Sequence, residues 1–498
     1  MSATAALFEG LSIALSWPTL AWLIVGVLLG IVIGAVPGIG PNLGMAVVLP
    51  LTLPLGGTNG IILLVGIYSG SMYGGSVAAI LMNVPGTAAA AATTFDGYPL
   101  SRQGKAMLAL SASAFSSAMA GFMTVVVLIV ISPVLITVVL LFGSPEYFLV
   151  AVLGLSMITI VAQGSLVKGL VAGAFGLLVS TIGVAEMSPE VRYAFGVIEL
   201  YDGIEFVAAI LGIFAVAEML KLAAERGSIA RSSIDASGSP LEGVRASASR
   251  WLLLVKSSFI GMFIGSIPGS GAAVSNFVAY SEAVRSSKNP DGFGNGELGG
   301  VIAAESSNNG TVGGSLIPAL SFGIPGSGAT AVLLGGLLMH GLNPGPDLFT
   351  TELSFTYAVF IALFLGNVVI LLVGLSLITR MEYLTRIDTQ ILIPIVFVLA
   401  VSGAYMLRSN WVDVFTVAVF GVVGYFMFAH DFSIVAFILG IVLGSIAEEN
   451  FLRSLDLSDG SLLIFLGSWP SRLLVLLTIL VLLVPFLKAS RDRSSASG

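Results

Sequence analysis

Residues 30–40 read Gly-Ile-Val-Ile-Gly-Ala-Val-Pro-Gly-Ile-Gly, and residues 261–271 repeat the pattern as Gly-Met-Phe-Ile-Gly-Ser-Ile-Pro-Gly-Ser-Gly. Every glycine and proline of the first stretch recurs 231 positions later, as Gly30 does at Gly261. Proline removes a backbone donor and glycine accepts dihedral angles that other residues avoid, so a Pro-Gly pair interrupts a helix. We therefore expect one interrupted apolar helix at the same place in each half of the chain.

A second pair of motifs follows the first in the same order. Residues 74–76 (Gly-Gly-Ser) precede residues 85–87 (Pro-Gly-Thr), and residues 313–315 (Gly-Gly-Ser) precede residues 325–327 (Pro-Gly-Ser), now displaced by 239 to 240 positions. Interrupted segments at corresponding positions of a duplicated membrane chain are typical of secondary transporters, and the interruptions indicate where the ligand binds.

The composition places these repeats in a lipid bilayer. Of 498 residues, 56% are hydrophobic and only 9% are charged, against roughly 25% charged in a soluble domain. Stretches such as 123–142, 147–167 and 357–379 are long enough to cross a bilayer and do not alternate, which favours helices over a barrel. We predict an all-α integral membrane protein with about 10–12 transmembrane helices.

The halves are residues 1–224 and 251–498, joined by a polar linker at 225–250 that is rich in Ser, Gly and Arg. Lys and Arg occur in this linker, at Arg102 and Lys105, and at Arg285 and Lys288, but not in the matching loops of the opposite half. By the positive-inside rule the linker and these loops are cytoplasmic, so equivalent loops of the two halves lie on opposite sides of the membrane and the repeats are inverted. Residues 251–283 then begin and end on the cytoplasmic side and are too short for two spans, which predicts a re-entrant helical hairpin.

The candidate binding residues lie at the four interruptions and in one polar stretch. Because the first motif pair contains no cation, freed backbone N–H groups are expected to bind carboxylates, and freed carbonyls with Ser, Thr and Asn oxygens to bind Na⁺. The candidates are Pro37, Gly38, Gly40, Asn42, Pro85, Gly86, Thr87, Pro268, Gly269, Ser270, Gly271, Asn276, Glu305, Asn308, Asn309, Pro325, Gly326 and Ser327.

Glu305 begins the polar stretch 305–311, and a carboxylate at membrane depth suggests coupling to Na⁺ or H⁺. The alternative is that Glu305 lies at an interface or a helix end. No metal site follows from the spacing, and any Na⁺ is expected near Asn42, Asn276 or Asn308. Residues 96–99 (Asp-Gly-Tyr-Pro) predict a turn.

Other classes of function find little support. The chain has no cysteine and two histidines, and no nucleophile, base or metal cluster has a recognisable spacing, so we expect no enzyme and no cofactor. A net charge of −7 with no basic patch gives no indication of nucleic-acid binding. A passive anion channel and a stand-alone carboxylate permease stay open as alternatives to a coupled carrier.

These motifs resemble the large membrane subunit of the tripartite tricarboxylate transporters, the TctA family. The resemblance rests on residues 73–76, 83–87, 95–99, 268–271, 305–309 and 323–327 with 344–346. It implies import of citrate-like or other carboxylates across a bacterial inner membrane, driven by a Na⁺ or H⁺ gradient. It also implies two partners, a small four-span membrane subunit and a periplasmic substrate-binding protein.

Overall fold

The computed structural model describes residues 2–161, 165–185, 187–224, 238–377 and 389–495. These residues form helices, connecting loops and one antiparallel pair of short strands, β1 (Gly183–Val184) and β2 (Val191–Arg192). Besides short 3-10 helices, the described α-helices are α1 (Ala3–Leu15), α2 (Trp17–Ala35), α3 (Pro41–Val48), α4 (Gly57–Met82), α5 (Thr93–Arg102), α6 (Ala106–Leu140), α7 (Ser144–Ser156), α8 (Ile158–Val161), α9 (Leu166–Ser180), α10 (Phe206–Ala224), α11 (Pro240–Ser249), α12 (Trp251–Gly265), α13 (Gly271–Ser286), α14 (Leu298–Phe322), α15 (Gly328–Met339), α16 (Pro346–Phe349), α17 (Leu353–Ser376), α18 (Thr389–Arg408), α19 (Trp411–Ala429), α20 (Ile434–Leu457) and α21 (Trp469–Ser495).

The chain is an all-α membrane protein, as predicted. Seven described helices, namely α2, α4, α6, α10, α17, α19 and α20, are long and apolar enough to cross a bilayer. Interruptions divide several other apolar stretches into shorter helices, such as α7 and α12. Stretch 147–167, predicted as one span, is such a case, since α7 ends at Ser156 and α8 begins at Ile158.

The two halves pack their matched helices in the same register. Glycines of α2 and α4 lie so close to the partner helix that an added methyl group would crowd a backbone oxygen, and glycines of α12 and α14 do the same. Each contact of the first half has a counterpart in the second: Gly30–Ile67 corresponds to Gly261–Ser307, Gly34–Ser71 to Gly265–Thr311, Gly70–Val27 to Gly310–Ser258, and Gly74–Ile31 to Gly314–Met262.

These contacts correspond residue by residue. Each α12 residue lies 231 positions after its α2 counterpart, and each α14 residue lies 240 positions after its α4 counterpart, as Ser307 does after Ile67. The repeated motifs therefore correspond to a packing unit that occurs once in each half of the chain. The inverted orientation of the two units stays a prediction.

The interruptions also match in backbone conformation. Gly38 and Gly269 both have positive φ angles, 83° and 75°, after helices α2 and α12. Asn83 and Gly323 end α4 and α14 in the left-handed conformation, with φ angles of 57° and 69°. Glycine and asparagine are the residues that adopt this conformation at least cost, which explains their positions.

The predicted hairpin and linker have defined structure where the chain is described. Helices α12 and α13 pack against each other around a break at residues 266–270, which confirms a helical hairpin, and its re-entrant placement stays a prediction. Residues 225–237 of the linker lie outside the described residues. Its remainder includes α11, whose Gly243 contacts α6 so closely that an added methyl group would lie 2.6 Å from the Leu108 oxygen.

The turn predicted at residues 96–99 is wrong, because these residues lie within helix α5. The fully buried Asp96 carboxylate accepts hydrogen bonds from the backbone N–H groups of Gly296 and Glu297, at 2.9 and 2.8 Å, and from the Tyr280 hydroxyl at 2.9 Å. Asp96 therefore anchors α5 to the start of α14. These tertiary bonds replace the local turn that an Asp-Gly pair usually makes.

Candidate functional site

One cavity of about 920 Å³ collects residues from all four interruptions. Its size lies within the range of small-molecule sites, roughly 300–1,000 Å³. The predicted site residues that line it are Gly38, Gly40, Asn42, Pro85, Gly86, Thr87, Gly269, Ser270, Gly271 and Ser327. Two halves of the chain thus contribute matched segments to a single space.

Three helices begin at this cavity. Helix α3 starts at Pro41, α13 at Gly271 and α15 at Gly328. The first N–H groups of a helix have no partner within it, and they attract an anion that lies close to them. Proline is well suited to the first helical position because its missing N–H would have no partner there.

Two side chains at the cavity have groups available for a ligand. The half-buried Asn42 amide packs against Gly328, across the cavity from its own helix break, and makes no hydrogen bond within the described part of the chain. Thr87 is 5% exposed, and its hydroxyl oxygen is buried beside Gly75 without a partner among the described residues.

The two predicted serines at the cavity already hold their helix breaks together. The Ser270 hydroxyl donates to the carbonyls of Ile264 and Ile267, the latter at 2.9 Å, and so pairs groups at the end of α12. The Ser327 hydroxyl accepts from the Thr330 N–H at 3.3 Å and lies 3.3 Å from the Tyr68 hydroxyl. A ligand at either serine has to share these bonds.

The other predicted residues do not line the cavity: Pro37, Pro268, Asn276, Glu305, Asn308, Asn309, Pro325 and Gly326. Asn276 is fully buried, and its amide accepts from the Ala92 N–H at 2.7 Å and donates to the Ala304 carbonyl at 3.0 Å. Asn276 therefore ties the segment after the second break to helix α14. Asn42, Asn276 and Asn308, around which Na⁺ was expected, do not share the cavity.

Glu305 lies within α14, seven residues after its first residue, and is fully buried in the protein, so it does not lie at a helix end. Four hydroxyl groups donate to its carboxylate: Ser76 at 2.6 Å, Thr93 at 2.5 Å, Ser113 at 3.1 Å and Ser117 at 3.0 Å. We call these five side chains the Glu305 cluster. No Lys or Arg of the described residues forms an ion pair with Glu305, whose side-chain partners are the four hydroxyl groups.

Asn308 and Asn309 follow Glu305 on the same helix, and each has a side-chain oxygen that accepts no hydrogen bond from the described residues. Their amide nitrogens donate to the Met72 carbonyl at 3.1 Å and to Asn367 Oδ1 at 3.2 Å. Their Oδ1 atoms are buried without a partner among the described residues. The described residues contain no group of three or more His, Cys, Asp or Glu side chains that could hold a metal ion.

Two lysines at the cavity were missed by the sequence reasoning, which found no cation near the first motifs. Lys168 on α9 and Lys221 on α10 line the cavity together with Glu218 and Asp431. Nothing in their sequence neighbourhoods connects them to the four interruptions. Only the packing of α9, α10 and the α19–α20 loop brings them there.

An all-α chain with several apolar spans, in which two matched sets of broken helices meet at one cavity, belongs to the class of multi-pass membrane transporters. The model of the tripartite tricarboxylate transporter TctA family matches residues 20–439, and the chain belongs to this family.

Two proteins of Agrobacterium vitis are similar to this chain. One, described as an uncharacterized 52.8 kDa protein in the TAR-I ttuC' 3'region, is 33% identical over 446 residues, which is 87% of each chain. The other, described as an uncharacterized protein in the TAR-II ttuC' 3'region, is 30% identical over 236 residues, covering 47% of this chain and 98% of the relative. No solved structure matches the chain.

Proposed function

We propose that this chain is the transport-catalysing subunit that imports small organic anions, tricarboxylates or other carboxylates, by cation-coupled alternating access. The observation that carries the proposal is the meeting of all four helix breaks at one cavity. Broken helices at membrane depth are tolerated only where they are buried in protein or line a cavity, and transporters use them to bind substrate.

A carboxylate in the cavity meets the first N–H groups of α3, α13 and α15 and the amide of Asn42. These groups carry partial positive charge and need no side-chain cation for a first contact. The buried hydroxyl of Thr87 gains a partner if the second break moves when substrate enters. The substrate is therefore held mainly by backbone dipoles at this end of the cavity.

The coupling cation acts at the Glu305 cluster. A buried carboxylate surrounded by four hydroxyl oxygens offers the oxygen ligands that Na⁺ takes and a group that a proton can neutralise. On the next turn of α14, Asn308 Oδ1 has no partner among the described residues. Either cation lowers the cost of keeping an unpaired carboxylate out of water. The cluster does not line the cavity, so ion and substrate bind at separate places.

The proposed arrangement in the membrane follows from the Lys/Arg distribution. The linker and the loop with Arg285 and Lys288 face the cytoplasm, and the two packing units are inverted with respect to each other. In keeping with the tripartite family, the partners are a small four-span membrane subunit and a periplasmic substrate-binding protein, in a bacterial inner membrane.

Uptake by proteoliposomes tests this function. A panel of labelled carboxylates is offered to the chain with and without its two partner subunits, and Na⁺ and pH gradients are imposed separately. Accumulation against a concentration gradient that requires one of the two cation gradients supports the proposal. Equilibration without any gradient identifies a passive anion channel, and full accumulation without the partners identifies a stand-alone permease.

A further inference from the structure

One side of the cavity is formed by α9, α10 and the loop between α19 and α20. Lys168 lies in the first turn of α9, and its ammonium group donates to the His430 carbonyl at 2.7 Å and lies 5.8 Å from the centre of the Phe432 ring. Lys221 lies near the end of α10, with its ammonium 5.3 Å from the centre of the Phe428 ring. The α19–α20 loop therefore holds Lys168 at the cavity wall, and Phe428 in the last turn of α19 contacts Lys221 there.

The two ammonium groups differ in how far they are neutralised. Lys221 forms an ion pair with Glu218 at 3.3 Å. No carboxylate of the described residues pairs with Lys168, which uses one of its three N–H donors on a carbonyl oxygen. Asp431 also lines the cavity, so four charged side chains face this space and their formal charges cancel.

The position of Lys168 is unfavourable unless an anion approaches it. A positive charge in the first turn of a helix is repelled by the helix dipole, and α9 begins only two residues before Lys168. A lysine with only a structural role is better placed near the end of a helix, where Lys221 lies. Moreover, α10 contains a π-helical turn, Leu211–Val216, whose Phe214 lines the same cavity, and such turns are frequent at functional sites.

We propose that Lys168, assisted by Lys221, binds a second carboxylate of the substrate, while the first carboxylate lies at the helix breaks. The inference rests on the proposed function, because it concerns the substrate of the same cavity. It makes the cavity selective for anions with two or more carboxylates over monocarboxylates of similar size. Because the four charges that line the cavity sum to zero, they give no net attraction for an anion. The selectivity therefore comes from direct contact between Lys168 and the second carboxylate.

The test compares uptake of labelled citrate, succinate and butyrate by proteoliposomes containing the full transporter with wild-type or variant large subunit. Lys168→Gln removes the charge and keeps an N–H donor on a side chain one bond shorter, Lys168→Arg keeps the charge, and Lys105→Gln removes the charge of an exposed lysine that does not line the cavity. The concentration for half-maximal uptake should rise about 10- to 150-fold for citrate and succinate in Lys168→Gln, the range for loss of a hydrogen bond to a charged group. Lys168→Arg and Lys105→Gln should retain the wild-type preference.

The outcomes separate the inference from the function on which it rests. If wild-type transporter takes up none of the three anions, the proposed function fails and this inference fails with it. If wild type prefers citrate or succinate and Lys168→Gln keeps that preference, only this inference is overturned. An equal loss for all three anions means that Lys168 merely holds the α19–α20 loop, which also overturns it.

Discussion

Replacing Glu305 by glutamine removes a buried negative charge while keeping the shape of the side chain. Glu305 Oε2 accepts three hydroxyl hydrogen bonds, so the glutamine carbonyl oxygen should take that place. Its amide nitrogen then faces Thr93, whose hydroxyl turns from donor to acceptor. Every group in the Glu305 cluster can therefore keep a partner.

For an ionised Glu305, the expected change in stability is small because two effects oppose each other. A hydrogen bond to a charged group contributes roughly 1 kcal/mol more than a neutral one, so four bonds lose about 4 kcal/mol. Removing an unpaired buried charge restores several kcal/mol of desolvation free energy. We expect the free energy of unfolding of Glu305→Gln to stay within about 2 kcal/mol of wild type. Glu305→Ala, which leaves four hydroxyls without their acceptor, should cost more.

The assay is uptake by proteoliposomes with Na⁺ and pH gradients imposed one at a time. Glu305→Gln should reach wild-type abundance in the vesicles but lose the stimulation that the coupling gradient gives. Glu352→Gln, at an exposed position before α17, is the matched control and should keep that stimulation. If Glu305→Gln shows the same Na⁺ and pH dependence as the control, the Glu305 cluster has a structural role and coupling lies elsewhere.

Three further predictions concern the cavity, the packing units and the orientation. Asn42→Ala should raise the substrate concentration for half-maximal uptake about 10- to 150-fold with unchanged thermal stability, whereas Asn276→Ala, which leaves the Ala92 N–H without its acceptor, should lose about 1–3 kcal/mol of stability. Thr58→Ala is the control, and the reverse pattern would contradict the placement of both asparagines. Gly314→Ala should prevent stable insertion because its methyl group overlaps the Met262 carbonyl, while Gly366→Ala, whose nearest contacts are side-chain atoms at 3.4 Å, should insert normally. Equal yields of the two glycine variants would show that close helix contact is not required. Single cysteines replacing Ser239 and Ser287 in this cysteine-free chain should react with an impermeant reagent from the cytoplasmic side, and those replacing Thr58 and Thr350 from the opposite side. Labelling of Thr58→Cys and Ser287→Cys from the same side would reject the inverted arrangement.

The helix breaks could be predicted from sequence because their cause is local. Proline and glycine act on the backbone at their own positions, and the duplication repeated them at matched places, so the breaks occur where the motifs lie. The same reasoning could not tell Asn42 from Asn276. Both follow a Pro-Gly break within a few residues. Only the tertiary packing brings Ala92 and Ala304 to Asn276, whose amide then forms hydrogen bonds with their backbone groups.

The Glu305 cluster was predictable only in part. The polar run after Glu305 marks α14 as unusual, but Ser113 and Ser117 on α6 look like ordinary serines of a membrane helix. Such hydroxyls usually satisfy themselves on a carbonyl one turn earlier, as Ser111 does on Met107 at 2.7 Å. Their convergence on one carboxylate depends on how α6 packs against α14, which no local pattern contains. Lys168 and Lys221 escaped the sequence reasoning for the same reason.

The segment from Thr87 to Thr93 connects the cavity with the Glu305 cluster. Thr87 lines the cavity, Thr93 donates to Glu305 at 2.5 Å, and between them the Ala92 N–H is held by Asn276. Under the proposed function, a cation that neutralises Glu305 weakens the hydrogen bond from Thr93. It thereby changes the stability of the segment that connects Thr93 to the helix break at residues 83–87. Coupling of this kind is reciprocal, so substrate bound at the break alters cation affinity by the same factor. Asn276→Ala removes the hydrogen bond that holds this segment at Ala92, but it changes no residue of the cavity or of the Glu305 cluster. Variant protein that stays folded should therefore transport with a weaker dependence on the cation gradient. A folded Asn276→Ala transporter with full cation dependence would mean that the two sites communicate by another route.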